Sequence, residues 1–273
     1  MNLIYSFYIP QTEHLVNLCK VSNNLYNQAL YLFRQTLKNE NKWLWYADMD
    51  KLMKNTPNLE GEINYRLLKA QVSQQILKVL DKNIKAYCKA IKDFKTNPAK
   101  YKAMPQLPSF RKRSGLFNLY YPNQSAIIKN GKIRLAKDLE ILIPQWDKYK
   151  ERIQNFQQVR ILPSGKKLKV EIVYRQEVKD ADLDKSKYAS IDLGIDNLAT
   201  MVTDKGSFLY SGKFLKSYNG NFNRQLAKLK SIKDKQGIKK ATKRMQNLYE
   251  KRDRYFEDAF HKYSRMIVNH LIE

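Results

Sequence analysis

The peptide Ser190-Ile191-Asp192-Leu193-Gly194-Ile195-Asp196 sets a carboxylate inside a run that is otherwise apolar. Burying an ionised carboxylate is costly unless it is paired or bound to a cation. Asp192 is therefore expected to be either a metal ligand or a hydrogen-bonded exception to the apolar pattern. Gly194 beside it carries no side chain to block the approach of a phosphate or another backbone. One carboxylate does not make a hydrolytic centre, because two-metal hydrolysis needs several around cations about 3.5–4 Å apart. No other catalytic chemistry is written in the chain. There is no Gly-rich phosphate loop, no Ser-His-Asp grouping and no histidine close to Asp192 in sequence. His14, His261 and His270 lack neighbours at zinc-ligand spacing, so no zinc site is expected. Cys19 and Cys88 lie far apart in apolar-periodic segments and read as reduced core thiols of a cytosolic protein.

Charge supplies the second clue. The 273 residues carry 51 Lys and Arg against 26 Asp and Glu, a net charge of +25 spread over several segments. Such a field gathers polyanions. No run of about 18 apolar residues could span a bilayer, and Met1 to Pro10 lacks the layout of a signal peptide. Nucleic acid is thus the expected partner, and a membrane is not. Two stretches concentrate the charge. Asn97 to Ser114 holds Lys100, Lys102, Arg111, Lys112 and Arg113 with no acid, among Pro98, Pro105 and Pro108. Lys205 to Tyr255 holds fifteen basic residues and three acids. A helix face solvated by charge is usually more balanced than that.

The elements that must position these residues follow from periodicity. Leu3 to Ile9 alternates, with Leu3, Tyr5, Phe7 and Ile9 on one side and Pro10 closing the run, so a strand opens the chain. From Gln11 to about Phe94 apolar residues recur at three to four, a helical block punctuated at Asn39 to Lys42 and Asn55 to Gly61. The proline-rich 97–114 stretch is an extended cationic connector. Strands return at 117–121, 126–129, 132–135, 159–162 and 168–174, with hairpin turns at Asn130-Gly131 and Ser164-Gly165. Together with the first strand they make a small barrel or sandwich interrupted by helices. Lys179 to Lys187 reads as a linker. Three short antiparallel strands then surround Asp192 and the Asp204-Lys205-Gly206 turn, and helix runs from Phe222 to Glu273 with a break near Asp234 to Gly237.

Several segments resemble, in order along the chain, the TnpB (OrfB) family of transposon-encoded RNA-guided DNA nucleases. The Asp192 peptide looks like the first motif of RuvC-type, RNase H-like nucleases, in which a first-strand Asp binds magnesium. QVSQQILKVLDKNIKAY (Gln71 to Tyr87) resembles the recognition helix, Lys100 to Lys112 the basic connector, and Ser164 to Tyr174 the last barrel hairpin. KFLKSYNGNFNRQLAKLKS (Lys213 to Ser231) and FHKYSRMIVNHLIE (Phe260 to Glu273) resemble the nuclease insertion and the helix after it.

The resemblance implies an α+β protein. A wedge-type β-barrel (1–10 and 115–178) takes in a helical recognition domain (11–95), a basic connector follows (96–114), and an incomplete RNase H-like (RuvC) domain occupies 188–273. Asp192 is then the catalytic, metal-binding carboxylate. The family's second-strand Glu, paired CxxC motifs and third-motif Asp have no counterpart, and Asp196, Asp204 and Glu273 stand at none of those positions. The intact family implies Mg2+, guide RNA, single- and double-stranded DNA, and a cytoplasmic, nucleoid-associated setting in a prokaryote. For this chain the expectation is binding without cleavage. The alternatives are a nuclease completed by a partner chain or downstream sequence, and a nuclease-dead binding repressor. A ribosome-type RNA-binding protein would account for the charge but not for the Asp192 peptide.

Expected contacts are Gln71, Gln74 and Gln75, whose amides can pair with adenine or simply line a polar face. To these are added the connector cations Lys100, Lys102, Arg111, Lys112 and Arg113, with Tyr120 and Tyr121 for stacking. Lys216, Asn219, Asn223, Arg224, Lys228, Lys243, Arg244, Lys251 and Arg252 complete the set in the C-terminal helices.

Overall fold

The structure, a computed structural model, describes residues 1–136, 139–177, 184 and 186–272. The chain divides into two compact units, Met1–Val178 and Lys179–Glu273. Most of the expected linker, and Glu273, lie outside the described residues.

In the first unit the opening strand β1 (Asn2–Pro10) alternates as its sequence dictates, turning Leu3, Tyr5, Phe7 and Ile9 inward while Ile4, Ser6 and Tyr8 stay exposed. It pairs antiparallel along its whole length with β7 (Lys167–Arg175), the hairpin partner of β6 (Phe156–Ser164). Gly165, at φ 57°, allows the tight turn between them. Beyond β6 lies β2 (Leu119–Pro122), giving the order β1-β7-β6-β2. Leu168, Val170 and Ile172 of β7 are fully buried. A second sheet is the meander β3 (Ile127–Lys129), β4 (Lys132–Ala136) and β5 (Leu139–Leu142). Asn130 and Gly131, at φ 50° and 73°, make its first turn. A Cβ on Gly131 would come within 3.3 Å of the ring of Trp146, which opens helix α4 (Trp146–Ile153).

The expected closed barrel is not what forms among the described residues. β1 and β2 stand at opposite edges of one sheet, and β3–β5 pair only with one another. Two features account for this. β2 has only four residues and ends at Pro122, which has no N–H to donate. β3 has only three. β5 and α4 were not anticipated, since Leu139 and Ile141 offer just two inward positions of the alternation and α4 is a short, highly charged helix.

Between β1 and β2 the helical block folds as expected. α1 (Glu13–Glu40) starts at a Thr12 cap and stops at Asn41, whose φ of 51° ends the helix in the left-handed conformation. α2 (Tyr46–Met53) and α3 (Ala70–Thr96) follow. Val72, Ile76, Leu77, Leu80 and Ile84 of α3 are fully buried against Leu25, Leu30 and Phe33 of α1 and Met49 and Met53 of α2 in one continuous core. Each such aliphatic side chain contributes roughly 1.5–3 kcal/mol. Asp81 of α3 is a carboxylate buried beside this core. It accepts the Tyr46 backbone N–H at 3.0 Å, capping α2, and pairs with Lys85 at 2.7 Å.

The second unit opens with the antiparallel meander β8 (Ser190–Leu193), β9 (Asn197–Thr203) and β10 (Gly206–Ser211), in the order β10-β9-β8. Two long helices follow, α5 (Lys213–Lys235) and α6 (Lys243–Ile272). Tyr263 and Ile267 of α6 pack on Ala199, Met201 and Tyr210, while Phe222 and Leu226 of α5 meet Met245 and Leu248 of α6. Helix begins nine residues before the expected Phe222. Leu215, Phe222 and Leu226 are buried on one face, so the helical period continues through Asn219-Gly220 despite their poor propensity.

Candidate nucleic-acid interface

Asp192 lies on β8 opposite Thr200. The expectation of a carboxylate sunk in an apolar strand does not hold. All four residues of β8 are exposed, Leu193 at 75%, and beyond the strand Ile195 is 79% exposed. β8 is the outer strand of its sheet, and α6 covers β9 and β10 instead. Asp192 has no ion-pair or hydrogen-bond partner among the described residues.

The backbone after Asp192 is fixed by close packing. A Cβ on Gly194 would lie 2.8 Å from the Asn197 carbonyl oxygen, and one on Gly212 would lie 2.5 Å from that of Ile195. The Gly212 N–H donates to the Asp196 carbonyl at 2.8 Å. Asp196 itself takes Lys216 Nζ at 2.6 Å, and that ammonium holds its carboxyl below the usual range. Asp204, in the turn after β9, lies 4.0 Å from Lys187. Both acids thus behave as strand-end and turn residues. No group of three or more His, Cys, Asp or Glu side chains suited to a metal ion is assembled among the described residues. Asp192 offers one ligand and Asp196 is committed to Lys216, so these residues do not by themselves fit a magnesium pair.

The basic connector is laid down on α1 by side-chain amides. Asn27 grips Arg111 twice, accepting its backbone N–H at 2.8 Å and donating to its carbonyl at 3.0 Å. Asn23 donates to the Lys112 carbonyl at 3.0 Å, and Arg34 to that of Pro108 at 2.6 Å. The Arg111 guanidinium sits 4.0 Å from the centre of the Phe117 ring. Lys100 pairs with Asp93 at 2.9 Å, which also accepts from Tyr101 at 2.6 Å. Lys102, Lys112 and Arg113 are exposed. Between connector and helices runs a groove of about 690 Å³ lined by Tyr26, Asn83, Tyr87, Phe110, Arg111 and Lys112. The groove's aromatic and amide members were not anticipated, because in sequence Tyr26, Asn83 and Tyr87 merge into the helical periodicity.

Of the two tyrosines expected to stack on bases, Tyr121 is buried and its hydroxyl's pKa is pushed up by that burial. It stands on the inward face of β2, so it is a core residue. Tyr120 is half-buried and accepts from Asn118 at 3.1 Å. Gln71, Gln74 and Gln75 are half-buried on the first turns of α3.

In the second unit the helical hairpin divides the expected cations into two groups. Arg252 is turned inward, donating to Asn219 at 2.8 Å and lying over Phe256 at 4.5 Å, while Lys216 is held by Asp196. Lys228, Arg244 and Lys251 converge with Gln225 and Asn247 on a groove of about 460 Å³ between α5 and α6. Asn223, Arg224 and Lys243 are exposed. No helix is long and apolar enough to cross a membrane among the described residues.

Comparison with known proteins bears most directly on this second unit. No curated protein matches the chain at a significant level. Solved structures that match the chain include the CRISPR-Cas12f ternary complex, at TM-score 0.39 and 11% identity over 95% of this chain. Another is the Cas12f1-sgRNA-target DNA complex, at TM-score 0.32 and 12% identity over the whole of this chain. The chain spans 61% of the length of the first and 70% of the second. The sequence model of the OrfB_IS605 family, described as a probable transposase, matches residues 171–273, a span that holds β8 with Asp192, the two strands after it and the whole basic hairpin. Those 103 residues, out of 273, are where the chain is similar to the OrfB_IS605 (probable transposase) family.

Proposed function

We propose that this chain is the nucleic-acid-binding portion of a transposon-associated RNA-guided DNA endonuclease. It binds guide RNA and target DNA and, as it stands, does not cut. The observation that carries the reading is the family match over residues 171–273, which encloses Asp192 and the Lys228–Arg244–Lys251 groove together. In this reading Asp192 contributes one metal-binding carboxylate to a Mg2+ site whose other ligands come from outside the described residues. The grooves beside the connector and between α5 and α6 hold nucleic-acid backbone, and the wedge-type sheets with their helical insert support the first of them. Exposed Lys102, Lys112 and Arg113 are available for phosphates, whereas Lys100, Lys216 and Arg252 shape the protein around them.

Two measurements test this. RNA recovered with the purified chain is sequenced, and a guide made from it is used in gel-shift assays with matched and scrambled DNA in Mg2+. The expected result is guide-dependent retention of the matched DNA with no cleavage above background. Guide-dependent cutting abolished by Asp192→Ala would show the site to be complete. Affinity for a single strand falls with salt at a log–log slope of about −0.7 per neutralised phosphate, near −6 for about eight contacts. A flat salt dependence refutes phosphate-dominated binding.

A further inference from the structure

α3, whose first part resembles the recognition helix, carries lysines that none of the contacts assigned above uses. Lys78, Lys82, Lys85, Lys89 and Lys92 recur at four, three, four and three, so they form a single exposed stripe along one face of the helix. At 1.5 Å per residue the stripe is about 21 Å long, the reach of about six phosphates of a stacked strand. Among the described residues its charge is cancelled locally only at Lys85. α3 has only two acids. Asp81 is buried and spent on the Tyr46 N–H and Lys85, and Asp93 is occupied by Lys100 and Tyr101. Lys82, Lys89 and Lys92 have no ion-pair partner among the described residues.

A series of aromatic rings leads from the core to the stripe. Phe33 in the core lies 5.6 Å from Trp43, and Trp43 stacks on Trp45 at 5.8 Å with their planes 16° apart. The last ring of this series, Trp45, remains 38% exposed. Lys85 Nζ lies 5.7 Å from its centre, and Lys78 Nζ lies 5.1 Å from that of Tyr46. Trp45 precedes α2, whose N-terminus is capped by buried Asp81, so the indole is held by the helix that bears the lysines. An exposed indole stacked on a second indole, with an ammonium group beside it, offers a surface for an unpaired base, while a row of lysines follows the phosphates.

We propose that the α3 lysine stripe and Trp45 form a track for a single nucleic-acid strand, with phosphates along Lys78 to Lys92 and an unpaired base on the indole. The proposal rests on the nucleic-acid-binding reading above and assigns it a further surface. It is tested on the full chain with 12-nucleotide RNA and DNA strands, a 12-base-pair duplex and polyglutamate, using Trp45→Ala, Trp45→Phe and Lys82→Ala/Lys89→Ala. The double lysine variant should lower the salt slope for a single strand by about 1.4. Trp45→Ala should weaken binding about tenfold, with Trp45→Phe restoring most of it. A strand carrying 2-aminopurine should be quenched by the wild-type chain and not by Trp45→Ala. A difference between the RNA and DNA arms identifies which strand occupies the track. Unchanged affinity and slope in both variants, or duplex or polyglutamate bound as tightly and with the same losses, overturns the track alone. Failure of the wild-type chain to bind any strand overturns the track together with the reading it rests on.

Discussion

Gly212 is the residue on which the placement of Asp192 is most directly tested. Its backbone is at φ −95°, a conformation any residue adopts, so an alanine there suffers no torsional strain. The whole effect comes from contact. The added methyl would lie 2.5 Å from the Ile195 carbonyl oxygen, 3.3 Å from the Leu198 nitrogen and 3.4 Å from the Asp196 carbonyl oxygen. The first of these is about 1 Å short of ordinary contact, and all three neighbours are backbone with no rotamer to yield. To make room, the loop after Asp192 must part from the start of α5, loosening the Gly212 N–H bond to Asp196 and the Asp196–Lys216 bridge.

Overpacking of this kind costs about 1–3 kcal/mol, which in a domain of about 100 residues lowers Tm by about 4–24 °C. Gly220 is the matched control. It sits within α5 with nothing inside 4 Å of its would-be Cβ. Gly220→Ala should therefore raise stability by about 0.5–1 kcal/mol through lost backbone entropy alone. Calorimetry on the full chain reads both variants, and amide hydrogen exchange assigns the effect. In Gly212→Ala the amides of residues 194 and 212 should exchange faster while those of β7 are unchanged. A Gly212→Ala variant as stable as wild type, or both variants shifting in the same direction, refutes the close packing on which the loop geometry rests.

Three further outcomes follow from individual contacts. Asn27→Ala removes both bonds that hold Arg111, a loss of about 1–2 kcal/mol, and should speed tryptic cleavage at Arg111 to Arg113 while leaving the second unit's melting unchanged. Cys19 is buried with its thiol pushed up to about 12 by that burial, so at pH 8 it stays protonated and a thiol reagent should label the native chain only at half-buried Cys88 and the denatured chain at both. The Asp196 carboxyl is lowered by Lys216, so the bridge's stabilisation is present above the unfolded carboxyl's value of about 4 and is lost as pH falls through the lower folded one. Asp196→Asn should accordingly lower the second unit's Tm slightly at pH 7 in low salt, with the difference shrinking as pH falls through the acid range and vanishing in 1 M salt, where this exposed pair is screened.

Local signals carried most of the fold. The alternation of Leu3 to Ile9, the Asn130-Gly131 turn and the three-to-four period of Val72 to Ile84 each encode their element within a few residues, and each element forms where its pattern lies. What local pattern does not carry is which strand edges meet. β2 and β3 read correctly as strands, yet nothing in four and three residues states that the two sheets stay separate. The early start of α5 failed for the opposite reason. Asn219 and Gly220 are weak helix formers, and the burial of Leu215, Phe222 and Leu226 on one face outweighs them.

The site was legible as composition but not as allocation. Sequence places positive charge on the connector and on the C-terminal helices, but a count cannot distinguish a cation facing a phosphate from one that holds the protein together. Lys100, Lys216 and Arg252 are spent on Asp93, Asp196 and Asn219, and each partner lies seven or more residues away, beyond the reach of helical spacing rules. Asp192 shows the same limit from the other side. Its apolar neighbours suggested burial, yet an alternating strand is buried only if a neighbouring strand or helix covers it, and among the described residues α6 covers β9 and β10 instead. An exposed Asp192 stands beside exposed Leu193 and Ile195, a carboxylate at the edge of an apolar surface patch. Exposure leaves the carboxylate solvated, so the strand that carries it fixes its position while the dielectric and the metal ligands around it depend on groups that the strand does not supply.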